Sequence, residues 1–173
     1  MTPAAGADRL RGMTEPLSAD VAIIGAGPVG LFAVFECGML QLSCAVIDAL
    51  AEPGGQCTAL YPEKPIYDIP AHPTIAAADL IGALERQIAP FRPQMLLGRR
   101  VERLAGAAGD FTLGTDRGEA VRAKAVIIAA GAGAFGPNRP PLENLPAYEA
   151  TGAVQYYVRR REDLRGRRVV IAG

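Results

Sequence analysis

The chain has 173 residues, half of them hydrophobic, with 18 basic and 18 acidic residues and no formal net charge. That balance argues against a dedicated nucleic-acid binder, and no run reaches the roughly 18 apolar residues that would span a bilayer. Aromatics are sparse and the apolar content is mostly Ala, Val, Ile and Leu, which suits an α/β layered core.

Residues 1–19 read as a disordered leader without a continuous apolar core, and not as a secretory signal. The segment Asp20 to Gly30, DVAIIGAGPVG, then reads as a buried strand, a glycine turn and the start of a helix. Such a turn presents backbone N–H groups and the positive end of a helix to a diphosphate, so it points to a dinucleotide. Gly25 permits the tight turn, Gly27 lets the backbone approach the pyrophosphate, and Gly30 lets the helix pack closely on the strand. Leu31, Val34, Phe35 and Met39 follow at helical spacing. A second strand, Cys44–Asp48, ends in an acid at the distance expected for a ribose-binding carboxylate.

From Ala49 to Pro73 no period is legible, and prolines and glycines are frequent. Leu60, Tyr61, Ile66, Tyr67 and Ile69 favour an ordered loop lying on other structure. A helix is expected over Ile75–Ala89, with Thr74 as its N-cap and Ala77, Leu80, Ile81, Leu84 and Ile88 as its apolar face. Gln94–Leu97 is expected to return to the parallel sheet. Arg99–Leu104, Phe111–Thr115 and Glu119–Arg122 read as a small antiparallel meander. Ala125–Gly131 reads as a separate, fully apolar strand. Beyond it, Pro137, Pro140, Pro141 and Pro146 mark a crossover. The basic run from Arg159 to Arg168, interrupted by Glu162 and Asp163, reads as a solvated connector. Val169–Gly173 repeats the pattern of Val21–Gly25, an apolar strand arriving at a glycine, and suggests a second dinucleotide-binding unit cut off where its turn begins.

Cys37, Cys44 and Cys57 form no Cys-x-x-Cys pair, which supports neither a dithiol centre nor a metal site, and their setting fits reduced thiols. His72, the only histidine, reads as a loop residue without a catalytic role.

Several of these pieces together resemble the two-dinucleotide-domain flavoproteins related to thioredoxin reductase, and within them the bacterial thioredoxin-reductase-like ferredoxin/flavodoxin–NADP+ reductases. The resemblance rests on the turn at Gly25–Gly30, on Gly54-Gly55-Gln56-Cys57-Thr58-Ala59-Leu60-Tyr61-Pro62-Glu63-Lys64, on Ile66-Tyr67-Asp68-Ile69, on Gly131 to Phe135 with Pro137, and on Asp163 to Ile171. It implies a Rossmann-like FAD-binding subdomain over 20–136, made of a parallel sheet plus a small antiparallel meander. It also implies a crossover and the first strand of a truncated NADPH-binding domain over 137–173. It implies FAD contacts at Gly25, Gly27, Pro28, Val29 and Gly30 (pyrophosphate), Asp48 (ribose), Gly55 and Gln56 (flavin side) and Tyr61 (isoalloxazine). Val101 would meet the adenine end, with Gly131 and Phe135 lining the site. The implied activity is FAD-dependent electron transfer between NADPH and ferredoxin or flavodoxin, in a cytoplasmic homodimer. No side chain of this segment is expected to act as an acid–base catalyst, and the truncated chain is expected to be inactive alone. The alternatives are a thioredoxin-reductase-like or flavin reductase, and a non-catalytic FAD-binding module.

Overall fold

The computed structural model describes residues 16–132, 137–158 and 160–172. Its centre is a six-stranded sheet in the order β5-β2-β1-β8-β7-β6. The strands are β1 (Leu17–Ile24), β2 (Cys44–Asp48), β5 (Gln94–Leu97), β6 (Val101–Ala107), β7 (Asp110–Thr115) and β8 (Ala120–Ile128). β5, β2, β1 and β8 run parallel, while β7 and β6 are antiparallel additions at one edge.

Helices α1 (Pro28–Met39) and α3 (Ala77–Ile88) lie on one face of the sheet. Strand side chains alternate between faces, so Val21, Ile23 and Val46 meet Leu31, Val34, Leu80 and Ile81 there. Ala22, Ala45 and Ile47 point to the opposite face, where the β7–β8 pair supplies Leu113, Val121 and Ala123. Ile23, Leu31, Ile47 and Leu113 are sealed from solvent, and each contributes about 1.5–3 kcal/mol of transfer free energy. All five residues expected on the apolar face of α3 are buried. On α1, Met39 is 63% exposed and Cys37 takes its place in the core.

Two of these expectations need correction. Glu119–Arg122 and Ala125–Gly131 do not form separate strands; one strand, β8, runs unbroken from Ala120 to Ile128 across their junction. Ala123 and Lys124 between them carry no turn chemistry, Ala123 is buried, and the Lys124 ammonium reaches the Asp20 carboxylate on β1 at 2.7 Å. The meander is therefore bonded into the main sheet. Lengthening β8 also gives the end of the supposed leader a partner, since Leu17, Ser18 and Ala19 pair with Val121, Arg122 and Ala123. Secondly, Thr74 is not the N-cap of α3. Ile75–Ala76 forms β4 against β3 (Pro65–Ile66), and the Ala77 and Ala78 amides donate to the carbonyls of Lys64 and Pro62. Backbone acceptors from a neighbouring turn thus do what a side-chain cap does elsewhere.

The segment after Asp48 is an ordered loop, as expected, with short regular elements of its own. It holds the short helix α2 (Gln56–Ala59), the β3–β4 pair and a bridge between Ile69 and His72. Tyr61, Ile66 and Ile69 pack on the helix-side core, whereas Leu60 and Tyr67 are exposed. Val169–Ala172 lies outside both sheets, and Val170 and Ile171 are 94% and 90% exposed. Within 137–158 a further helix, α4 (Leu145–Ala150), buries Leu145.

Candidate functional site

The carboxyl ends of the parallel strands converge on the glycine turn between β1 and α1. Gly25 takes a φ of +110°, and its amide donates to the Ile47 carbonyl at 2.8 Å. A Cβ there would stand 2.3 Å from the Ala129 carbonyl oxygen, just past β8. The turn is thus wedged where the strand order reverses, with β2 on one side and β8 on the other, the usual place for a ligand in an open α/β sheet. Gly30 does something different. Its Cβ would lie 1.8 Å from the Gly25 carbonyl oxygen, so glycine lets α1 sit directly on the turn. At Gly27 a Cβ would meet nothing within 4 Å. Gly27 caps α1 in an extended conformation (φ −71°, ψ −178°), Pro28 opens the first turn, and Val29 is 69% exposed. Open space above Gly27, facing the first amides of a 12-residue helix, is a fit for a phosphate.

Asp48, at the end of β2, braces this turn. Its Oδ2 accepts from the Ala26 amide at 2.6 Å and its Oδ1 from the Leu50 amide at 2.8 Å. Each carboxylate oxygen keeps a further lone pair for a sugar hydroxyl.

The loop carrying Gly54, Gly55 and Gln56 docks onto the same turn. The Gly54 amide donates to the Ala26 carbonyl at 2.7 Å. Gly54 and Gly55 have φ of +111° and +56°, and a Cβ on Gly55 would come within 3.3 Å of the Gly27 Cα. Two glycine segments distant in sequence therefore form one surface. Gly54 was not singled out as a site residue by sequence, because a backbone bond leaves no side-chain signature.

Gln56 and Tyr61, expected at the flavin end, are brought together: the Tyr61 hydroxyl donates to Gln56 Oε1 at 3.2 Å. The Lys64 ammonium lies 5.0 Å from the centre of the Tyr61 ring. Burial, and then neighbouring Cys57, push the Tyr61 phenol above its ordinary value. Val101 opens β6 and packs its side chain against the sheet core. The segment before it is tied to the same end of the sheet, with the Gly98 and Arg99 amides on the Leu50 and Asp48 carbonyls. Gly131, with φ +59°, is exposed beyond β8. Phe135 lies outside the described residues.

Cys37, Cys44 and Cys57 are unbridged and buried. Burial, and then Cys37 beside it, push the Cys44 thiol up to about 12. Among the described residues no group of three or more His, Cys, Asp or Glu side chains is arranged to hold a metal. No helix among them is long and apolar enough to cross a membrane.

Comparison with known proteins agrees with this geometry. The family described as pyridine nucleotide-disulphide oxidoreductase matches residues 19–173. The chain is 74% identical over 161 residues to the ferredoxin–NADP reductase of Acidiphilium cryptum, covering 93% of this chain and 48% of that protein. It is 73% identical over 157 residues to the ferredoxin–NADP reductase of Gluconacetobacter diazotrophicus, covering 91% and 46%. The chain thus spans about half the length of the curated relatives it matches. Among solved structures, the thioredoxin reductase of Streptococcus pyogenes superposes with a TM-score of 0.60 at 26% identity, over 71% of this chain and 38% of that one.

Proposed function

This chain belongs to the pyridine nucleotide-disulphide oxidoreductase family, and from that premise we propose that it is the FAD-binding part of a ferredoxin–NADP reductase. The observation that carries the reading is the docking of the Gly54–Gln56 loop on the Gly25–Gly30 turn, which leaves open backbone at Gly27 beside the first amides of α1. The naming of the relatives at over 70% identity favours this enzyme over a thioredoxin reductase.

In this reading Gly25, Gly27, Pro28, Val29 and Gly30 cradle the pyrophosphate, and Asp48 accepts from the ribose hydroxyls while holding the turn. Gly55 gives the loop its close approach, Gln56 offers donor and acceptor groups to the flavin edge, and Tyr61 offers its ring face. Val101 serves the adenine end through its strand, and Gly131 and Phe135 line the far wall. The bound group supplies what these side chains lack, hydride exchange with a nicotinamide and single-electron exchange with a carrier. The chain's own part is to bind it, orient its ring and shield one face from water. Residues 137–173 begin the NADPH-binding portion in this assignment, electrons pass between NADPH and ferredoxin or flavodoxin, and the whole enzyme is a cytoplasmic homodimer.

The test is an absorbance spectrum of the purified chain after FAD titration, followed by an NADPH–ferricyanide diaphorase assay. The expected result is a bound flavin spectrum with no NADPH turnover. Absence of any flavin binding refutes the FAD reading, and normal turnover refutes the assignment of this chain to the FAD part alone.

A further inference from the structure

Tyr61, Pro62, Glu63 and Lys64 form one tight turn. The Lys64 amide donates to the Tyr61 carbonyl at 3.0 Å, and the Lys64 ammonium folds back over the Tyr61 ring. The turn is fixed to the start of α3, since the Ala77 and Ala78 amides take the Lys64 and Pro62 carbonyls at 3.0 and 2.9 Å. A movement of Glu63 is therefore felt at Tyr61, two residues away in a closed turn.

Glu63 does not point idly to solvent. Its carboxylate accepts from the Arg161 guanidinium at 3.0 Å and from the Arg161 amide at 3.4 Å, across 98 residues of sequence. Arg161 opens a short 3-10 turn, Arg161–Leu164, in the crossover segment. Its neighbour Arg160 is already engaged with Asp163 at 2.9 Å. Cavities of about 750 and 590 Å3 lie beside the contact and share Pro62, Glu63 and Ala78 as walls. The segment is thus tied to the turn through an exposed ion pair, and such a contact is easily made and released.

We propose that Glu63 and Arg161 are a coupling pair that ties the crossover segment to the turn carrying Tyr61, so that the segment's position sets the orientation of the Tyr61 ring. Glu63 is then a positioning residue, not a catalytic one. The Tyr61 end of this proposal rests on the FAD reading above.

Hydrogen exchange followed by mass spectrometry tests the coupling without any cofactor. Glu63→Gln removes one charge at constant side-chain length, and Arg161→Gln removes the guanidinium charge with a shorter side chain. Each is expected to speed exchange about two- to fivefold, the range of an exposed ion pair. The acceleration should appear at Asp163 and Arg165 in the segment and also at Ala77 and Ala78 under the turn. The double variant should exchange no faster than either single variant. The charge swap, Glu63→Arg with Arg161→Glu, should restore the wild-type pattern. The FAD-loaded chain adds a second readout, the visible circular dichroism of the flavin. It should change in the single variants and recover in the swap. Wild-type exchange at Ala77 and Ala78 in both single variants overturns the coupling and leaves an ordinary surface ion pair. Altered exchange with an unaltered flavin signal overturns the Tyr61 end alone. A wild-type chain that takes up no FAD overturns the cofactor reading, and the exchange experiment still decides the coupling.

Discussion

Gly27 and Gly30 stand three residues apart in one turn, yet the structure separates their roles, and alanine at each tests that separation. In Gly30→Ala the new methyl would lie 1.8 Å from the Gly25 carbonyl oxygen. The contact must open by about 1.5 Å to become an ordinary carbon–oxygen approach. The obstacle is backbone on a turn that is itself wedged against Ala129, so no side chain can swing away. Overpacking of this kind costs about 3 kcal/mol, at the upper end of the usual range. For a chain of this size that lowers Tm by about 6–12 °C. In Gly27→Ala the methyl enters open space at an ordinary φ of −71°. The gain from a stiffer unfolded chain and the loss of a favoured cap residue nearly cancel, so Tm should stay within about 3 °C. FAD affinity should nevertheless fall at least about tenfold, a loss of about 1.4 kcal/mol, because the methyl occupies the approach to the α1 amides. Thermal unfolding and flavin absorbance measure the two effects. Wild-type FAD retention in Gly27→Ala would refute the cradle, and an unchanged Tm in Gly30→Ala would refute the packing argument.

Asp48→Ala strands the Ala26 and Leu50 amides, which costs about 1–3 kcal/mol. It should lower both Tm and FAD retention, and a variant that loses neither would remove Asp48 from the site. The three buried thiols should release no chromophore from a disulfide reagent in the native chain at pH 8, and three equivalents after guanidinium; rapid native labelling would contradict their burial. Asp20 is held well below the usual carboxylate range by Lys124, with Ser43 adding hydrogen bonds. A lowered folded value means stability that is present above the unfolded value near 3.9 and is lost as pH falls through the folded one. The Tm gap between wild type and Asp20→Asn should therefore be full near pH 6–7 and narrow steadily in acid. A gap that is constant across pH would show that the ion pair contributes nothing.

What could be read from sequence was whatever repeats in side chains. The β-branched runs at Val21–Ile24 and Ala45–Ile47, the five-residue apolar face of α3 and the return of Gln94–Leu97 to the sheet all follow from hydrophobic period. The roles of Gly25 and Gly30 were legible too, because only glycine fits a positive φ or a contact under 3 Å. Contacts made through the backbone were not. The fusion of two expected strands into β8 depends on the absence of a turn at Ala123-Lys124, a weak signal beside the apolar run that follows. The capping of α3 by the Lys64 and Pro62 carbonyls defeated the Thr74 expectation for the same reason. The Glu63–Arg161 pair joins residues 98 apart, which no local pattern reports.

Those backbone contacts bear directly on how the turn meets a ligand. The peptide groups on either side of Ala26 are both held, the amide by the Asp48 carboxylate at 2.6 Å and the carbonyl by the Gly54 amide at 2.7 Å. Gly27 follows immediately, so the direction in which its open face points is set before anything binds. Holding the turn this way removes ordering that a ligand would otherwise have to supply, about 1–2 kcal/mol per residue fixed. It also explains why the acid at the end of β2 is Asp48 and not a longer side chain, since a short carboxylate reaches both Ala26 and Leu50 while staying at the strand end. Asp48→Glu is the sharp test of that point: it keeps the charge and the capacity to meet a ribose but displaces the carboxylate by one methylene. If bracing matters, its FAD affinity should fall toward that of Asp48→Ala, with faster exchange at the Ala26 amide. Retained affinity together with fast exchange would show that the ribose contact alone holds the cofactor and that the brace serves only the empty turn.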